Sequence, residues 1–154
     1  MSESPFTEKE TAFLTSNDGA VCRLATVISS GAPYIVPLGF FFDPEQGITK
    51  ISLAEWPGRG QERYWLRCVE KDPRVAVTVD EFNRPTPEML AGTEMPKMPL
   101  GITFRGLAEI VPEGGESLAP MCGPKWVRIV PTWITSWGID GGMLAPPNAR
   151  SVAS

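Results

Sequence analysis

Residues 23–42 read RLATVISSGAPYIVPLGFFF, and Arg23 is the only charged residue among them. The two halves are rich in β-branched and aromatic residues, whereas SSGAP at 29–33 has the composition of a turn. This pattern predicts a β-hairpin, with strands at about 21–29 and 34–42. A helix that crosses a membrane needs about 20 uninterrupted apolar residues, and the central break disfavours that alternative.

Both faces of the second predicted strand are apolar. Successive side chains of a strand point to opposite faces, so the strand carries two alternating sets of residues. One set is Ile35, Pro37, Gly39 and Phe41, and the other is Val36, Leu38, Phe40 and Phe42. We therefore expect this strand to be buried on both sides, as in a closed barrel.

The composition restricts the chemistry that the 154 residues can perform. The net charge of −4 argues against a general nucleic-acid-binding protein, which normally carries a basic surface. The sequence contains no histidine. This excludes the Ser-His-Asp and Cys-His catalytic arrangements and disfavours the usual zinc sites and a histidine-ligated haem. Any chemistry must therefore come from other side chains or from a bound cofactor.

The three cysteines, Cys22, Cys68 and Cys122, are far apart in the sequence and form no C-x-x-C pair. This spacing predicts free, buried thiols in a reducing compartment. The first ten residues, MSESPFTEKE, are polar and acidic and do not have the pattern of a secretory signal. We therefore expect a cytoplasmic protein.

Two helices are predicted outside the hairpin. Thr7 and Glu10 fit a capping box, so a helix should begin there and end at about Asn17. Residues 1–17 would then form an N-terminal helical segment. A second helix is expected at 61–71, and Asp72-Pro73 should end it.

Further strands are predicted at 48–54, 74–81, 102–111, 126–130 and 132–139, with Pro131 separating the last two. Residues 82–99 are rich in proline and methionine, and a loop of that length is typical of a lid, a binding loop or a partner contact. The tail at 141–154 is expected to be irregular. Together these elements predict one mainly-β domain over 1–154, a small antiparallel barrel with two or more short helices.

Arg59, Arg63 and Arg67 recur every four residues near the start of the second helix. Guanidinium groups beside a helix N-terminus suit a phosphate group. The alternative is a solvated helix face, with Glu62 and Glu70 as ion-pair partners.

Small or aromatic residues mark two further candidate positions. Pro37 and Gly39 could let a ligand ring approach the second strand, or could simply allow a twisted barrel to pack. Trp133 and Trp137 share a strand face, which is more typical of a core or a dimer interface than of a cofactor stack. The direction in which Arg105 points is left open by the pattern.

The order of these segments resembles the pyridoxamine 5′-phosphate oxidase-like split barrels, an FMN-binding family. The resemblance runs from about Phe13 to Ile139. It rests on RLATV, YIVPLGFFFDP, ISLAE, DPRVAVTVD, GITFRGLAEIV and VRIVPTWITSWGID. SWGID, with NARSV downstream, is most similar to the branch that uses the 8-hydroxy-5-deazaflavin coenzyme.

The resemblance implies a split barrel that forms a homodimer, with cofactor sites at the subunit interface. It implies a flavoprotein-type oxidoreductase that passes a hydride between bound FMN or deazaflavin and a small organic substrate, and it identifies no catalytic residue. The residues that it implies for cofactor binding are Val36, Pro37, Leu38, Gly39, Ser52, Leu53, Ala54, Arg59 and Arg63.

Two positions depart from the family pattern. Relatives commonly carry a Lys and an Asn on the helix before the Asp-Pro-Arg triplet, where this sequence has Trp65 and Cys68. Arg59 or Arg63 could supply the missing positive charge. Three functions remain open: a flavin- or deazaflavin-dependent oxidoreductase, a non-catalytic carrier of the cofactor, and a degenerate site that binds neither cofactor.

Overall fold

The computed structural model describes residues 4–45, 51–56, 62–81, 85–95, 99–142 and 144–152. Within these ranges the chain forms seven strands and three short α-helices. The strands are β1 (Val21–Val27), β2 (Pro33–Phe42), β3 (Ile51–Ala54), β4 (Arg74–Glu81), β5 (Leu100–Val111), β6 (Trp126–Trp137) and β7 (Asn148–Ser151). The helices are α1 (Glu8–Ser16), α2 (Tyr64–Lys71) and α3 (Pro87–Leu90).

The strands form one antiparallel sheet in the order β3-β2-β1-β4-β5-β6-β7. β3 also pairs with β6, so six strands close into a barrel and β7 lies outside the ring. This confirms the predicted mainly-β antiparallel barrel. Because the barrel is closed, β2 and β3 each pair with a neighbour on both sides and have no free edge. A ligand or partner can therefore approach them only at their outer faces.

The predicted hairpin is confirmed as β1 and β2. Its turn is closed by Ile28, whose N–H donates to the Ala32 carbonyl at 3.0 Å and whose carbonyl accepts from the Gly31 N–H at 2.8 Å. Gly31 has φ +85°, a left-handed conformation that glycine adopts at little cost.

The expectation that β2 is buried on both faces is wrong for this chain. Leu38, Phe40 and Phe42 face the barrel interior and are buried, whereas Ile35 on the opposite face is 64% exposed. The apolar character of both faces therefore fixes the strand but does not show what covers its outer side.

Pro131 does not divide the last long strand. β6 runs continuously from Trp126 to Trp137, and the register shifts opposite Arg105 and Gly106, so that Thr132 is an extra, bulged residue. A proline lacks the N–H that a regular ladder needs, and a bulge accommodates it. Gly106 makes the close approach possible, because a Cβ there would lie 2.0 Å from the Val130 carbonyl oxygen.

The tail and the 82–99 segment also contain structure that composition did not indicate. Residues 148–151 form β7, which pairs with β6, and residues 87–90 form α3. The tail is held by Glu10 of α1, whose buried carboxylate accepts hydrogen bonds from Arg150 Nη1 at 2.9 Å and from Ser136 Oγ at 2.6 Å. A contact across 140 residues of sequence therefore creates order that no local pattern predicts.

The two longer helices lie at opposite ends of the barrel. α1 has the predicted capping box at Thr7 and Glu10 and lies at the end of β4, where Asn17 Nδ2 contacts Glu81 Oε1 at 3.2 Å. α2 lies at the start of β4, and its Tyr64 ring packs edge-on against Tyr34 of β2 at 5.2 Å. The barrel core lies between them. In the described part of the chain no helix is long and apolar enough to span a bilayer.

Candidate functional site

The outer surface of β2 and β3 carries small side chains at the positions implied for cofactor binding. Pro37, Gly39 and Ser52 point outward, whereas Leu38 and Leu53 point into the core and are 6% and 0% exposed. Val36 and Ala54 are largely covered. The residues implied as a binding set thus divide in two. At the outward positions, Pro37 and Ser52 present their side chains to the surface and Gly39 leaves the surface open. The side chains of Leu38 and Leu53 lie in the core, so these residues can contribute only backbone atoms.

The surroundings of Gly39 bear on whether a glycine here allows a twisted barrel to pack or allows a ligand ring to approach. A Cβ built on Gly39 would meet no described atom within 4 Å. Barrel packing therefore does not require a glycine there, in contrast to Gly106. The absence of a side chain instead leaves the outer face of β2 flat, which suits a planar group or a second backbone.

Arg128 lies beside this surface and was missed by the sequence reasoning. The pairing of β3 with β6 places Ser52 directly opposite Arg128. The Arg128 guanidinium lies 5.1 Å from the Trp126 ring centroid, and its Nη1 contacts Glu109 Oε2 at 3.4 Å. Its Nε is buried and has no hydrogen-bond partner among the described residues. An outward arginine in the alternating segment WVRIV was the available signal, but only the strand pairing places it next to Ser52.

Arg63 and its neighbours form the start of α2. Arg63 is the N-cap residue, with extended backbone and no side-chain capping bond, so its guanidinium is not used to close its own helix. Its neighbour Glu62 pairs with Lys125 Nζ at 3.0 Å. Arg59 lies outside the described residues.

Trp65 and Cys68, which replace the family's usual Lys and Asn, are packing residues in this structure. They are 2% and 5% exposed. Trp65 belongs to the main hydrophobic cluster, although its Nε1 finds no hydrogen-bond partner in the described chain. Neither side chain can supply the positive charge of a lysine. The cations that the structure describes near this helix start are Arg63 and Lys125, and Lys125 is paired with Glu62.

The remaining candidate aromatics and cations lie farther along the sheet. Trp133 and Trp137 are half-buried, and Trp137 packs over Gly101, where a Cβ would lie 2.5 Å from its ring. Arg105 points outward and lies 5.3 Å from the Trp133 ring centroid. These residues form part of the outer sheet surface and do not join the Gly39 and Ser52 group.

All three cysteines are free and buried, as predicted. Burial raises the pKa of the Cys22 thiol to about 12, and burial also raises the pKa of the Cys122 thiol. Both thiols therefore remain protonated at neutral pH and act as small apolar core groups rather than as nucleophiles.

Comparison with known proteins identifies relatives over most of the chain. Residues 6–146 match the family model described as pyridoxamine 5′-phosphate oxidase. The chain is 33% identical over 150 residues to a protein of Streptomyces rimosus subsp. rimosus named 5a,11a-dehydrotetracycline/5a,11a-dehydrooxytetracycline reductase. The match covers 97% of this chain and 95% of that protein.

Solved structures with the same fold include proteins described as binding different cofactors. The FAD-binding protein from Mycobacterium smegmatis superposes with a TM-score of 0.56 at 17% identity, covering 87% of this chain and 96% of that chain. A haem-binding protein from the same organism gives a TM-score of 0.58 at 14% identity, covering 95% of this chain and 58% of that chain. At these identities the likeness shows the fold alone. The family match over residues 6–146 and the six-stranded barrel together show that the chain belongs to the pyridoxamine 5′-phosphate oxidase family.

Proposed function

We propose that the protein is an oxidoreductase that binds a flavin-type cofactor, FMN or 8-hydroxy-5-deazaflavin, and passes a hydride between it and a small organic substrate. The observation that carries the proposal is the near full-length match to a reductase at 33% identity. The open surface over Gly39 agrees with it, because a Cβ added there would meet no described atom within 4 Å.

The residues around this surface fit such a cofactor. Gly39 and Pro37 leave room for the planar ring. Ser52 offers a hydroxyl, and the buried Arg128 Nε offers a donor that no described group uses. Arg63, at the start of α2, would face the phosphate, where the helix N-terminus adds favourable backbone N–H groups.

The cofactor, when bound, supplies the hydride chemistry, and the protein supplies position and environment. β2 and β3 would orient the ring through their backbones, since the side chains of Leu38 and Leu53 lie in the core. The absence of histidine is compatible with this division, because the chain need not provide the commonest side-chain base.

We also propose a homodimer in which the outer strand faces meet and the cofactor sites lie at the interface. Several large apolar side chains are exposed on these faces: Ile35 is 64% exposed, Leu107 50% and Val130 45%. Exposed apolar surface of this kind is typical of an interaction site. Light scattering at micromolar concentration should give about twice 16.8 kDa. A monomer in the presence of cofactor would contradict this assembly.

Absorbance spectroscopy and mass spectrometry of the released ligand test the cofactor, and turnover tests the enzyme. The purified protein should bind FMN or the deazaflavin, and the reduced cofactor should be oxidised faster when an acceptor substrate is added. Tight cofactor binding without any substrate-dependent oxidation, across a panel that includes unsaturated polycyclic compounds, would favour the carrier function. Binding of neither cofactor would indicate a degenerate site.

A further inference from the structure

A second cleft lies between α2 and the tip of the β1–β2 hairpin, at the barrel end away from α1. It has a volume of about 410 Å³, within the range of small-molecule sites. Val27 and Ile28 form an apolar wall, and α2 contributes Tyr64, Arg67 and Lys71. These three helix residues are spaced by three and four positions, so they share one helix face.

The lining of this cleft is strongly cationic for a chain of net charge −4. Among the described residues, Arg67, Lys71 and Arg74 line it, together with one carboxylate, that of Asp72. Asp72 is already engaged, since Arg74 donates to it from Nη2 at 2.6 Å and from Nε at 2.9 Å. The Arg74 hydrogen bonds lower the pKa of Asp72 to about 2, so both partners stay charged. Asp72 therefore does not neutralise the positive charges of Arg67 and Lys71.

Arg67 and Lys71 differ in this respect from the ion-paired cations elsewhere in the structure. Arg74, Lys125, Arg128 and Arg150 each make a salt bridge. Among the residues that the structure describes, neither Arg67 nor Lys71 does. Arg67 instead lies 5.9 Å from the Tyr64 ring centroid, and Tyr64 packs edge-on against Tyr34. Two positive charges thus face a cleft that has a flat aromatic group on one side.

We propose that this cleft is a binding site for a small molecule that carries an anionic group, a phosphate monoester or a carboxylate, on a flat apolar body. Arg67 and Lys71 contact the anion, while Tyr64 and the Val27–Ile28 wall contact the body. A shallower cleft of about 220 Å³ shares Val27 and Arg74 with the first and continues onto the outer faces of β1 and β4, which gives a longer ligand room to extend.

The cationic end of this cleft lies away from the cofactor phosphate position proposed at the start of α2, although Tyr64 of the cleft directly follows Arg63 in the chain. Lys71 is eight residues from the N-cap Arg63, so the two are about 12 Å apart along the helix at 1.5 Å per residue. The cleft lining includes none of the β2 or β3 residues that surround Gly39. The proposal goes beyond the oxidoreductase function and does not depend on it.

Calorimetric titration of the cofactor-free, full-length protein tests the proposal with three matched probes: 1-naphthyl phosphate, 1-naphthoate and 1-naphthol. The two anions should bind at least tenfold more tightly than the neutral naphthol, and their affinity should fall as salt is added. The tighter of the two anions identifies phosphate or carboxylate as the preferred group. Equal affinity for all three probes, or no binding of either anion, would overturn the proposal.

Substitutions of the cleft cations test whether the naphthyl anions bind in this cleft. Arg67→Ala and Lys71→Ala should each weaken the better anion about tenfold, and Lys71→Glu should weaken it further. Lys9→Ala is the matched control, because Lys9 is an exposed lysine on α1 at the opposite end of the barrel. Melting temperatures check that each variant is folded.

Two results would refute a separate anion site. If Lys9→Ala weakens binding as much as Lys71→Ala does, the effect is one of net charge and not of the cleft. If saturating FMN displaces 1-naphthyl phosphate, the cleft belongs to the cofactor site. Failure of both FMN and the deazaflavin to bind would reject the cofactor proposal but would leave these naphthyl titrations interpretable.

Discussion

Gly39 offers the sharpest test of where the cofactor ring lies. A Cβ at this position meets no described atom within 4 Å, and the residue lies in a regular strand. Gly39→Ala should therefore not disturb the fold. Glycine inside a strand is less stable than alanine by roughly 0.5–1 kcal/mol. For a domain of this size that corresponds to a rise in melting temperature of about 1–4 °C.

Cofactor binding should respond in the opposite direction. A side chain at residue 39 would project from β2 into the space where the ring is proposed to lie. We expect Gly39→Ala to weaken cofactor binding measurably and Gly39→Leu to weaken it at least tenfold, which corresponds to about 1.4 kcal/mol. Fluorescence titration with each cofactor gives the affinities, and a thermal melt gives the stability of the same samples.

A matched control separates this effect from that of a new exposed leucine. Ser151 is exposed on β7, which lies outside the barrel ring. Ser151→Leu should therefore leave cofactor affinity within about twofold of the parent, a difference of roughly 0.4 kcal/mol. If Gly39→Leu is folded and binds cofactor as tightly as the parent, the ring does not lie on this face of β2, and the reasoning from the open surface is refuted.

Three further predictions concern charge, pH and the bulge. Arg63→Ala should weaken cofactor binding about ten- to a hundredfold, because a charge-assisted contact contributes roughly 1.5–3 kcal/mol; if neither it nor Arg59→Ala changes the affinity, the phosphate lies elsewhere. Burial opposes the charge on Glu10, but hydrogen bonds from Arg150, Ser136 and Thr7 outweigh it and lower the pKa of Glu10 below its ordinary 4.5. The stability that this carboxylate contributes is therefore present above pH 4.5 and is lost as the pH falls through the lowered value. Glu10→Gln should cost about 2–3 kcal/mol at pH 7, and urea titrations should show the gap to the parent closing in acid; a gap that is constant from pH 7 to pH 3 would contradict the linkage. Gly106→Ala should destabilise the protein strongly while Gly39→Ala does not, because its Cβ would lie 2.0 Å from a carbonyl oxygen; equal melting temperatures for the two variants would show that the bulge relaxes freely.

Local patterns predicted the elements whose causes are local. The SSGAP turn, the capping box at Thr7 and the alternation in β4 each depend on residues within a few positions of one another, and the structure has all three. The buried cysteines also followed from composition and spacing. The surroundings of the candidate site were predicted less completely. Gly39 and Ser52 were placed on the correct strands, but Arg128 was missed, because its position beside Ser52 depends on a strand pairing across 76 residues.

The sequence by itself determined that this chain is a histidine-free, mainly-β protein in which the second strand of the central hairpin has two apolar faces. Those properties follow from residue type and short-range period. Only the tertiary structure decided which face of β2 enters the core, how Pro131 is accommodated in β6, and that the tail pairs as β7. It also brought Arg67, Lys71 and Arg74 together around one cleft. The physical reason is that these features depend on contacts between residues far apart in the sequence, such as the pairing of β3 with β6 that closes the barrel and separates its interior from its outer surface.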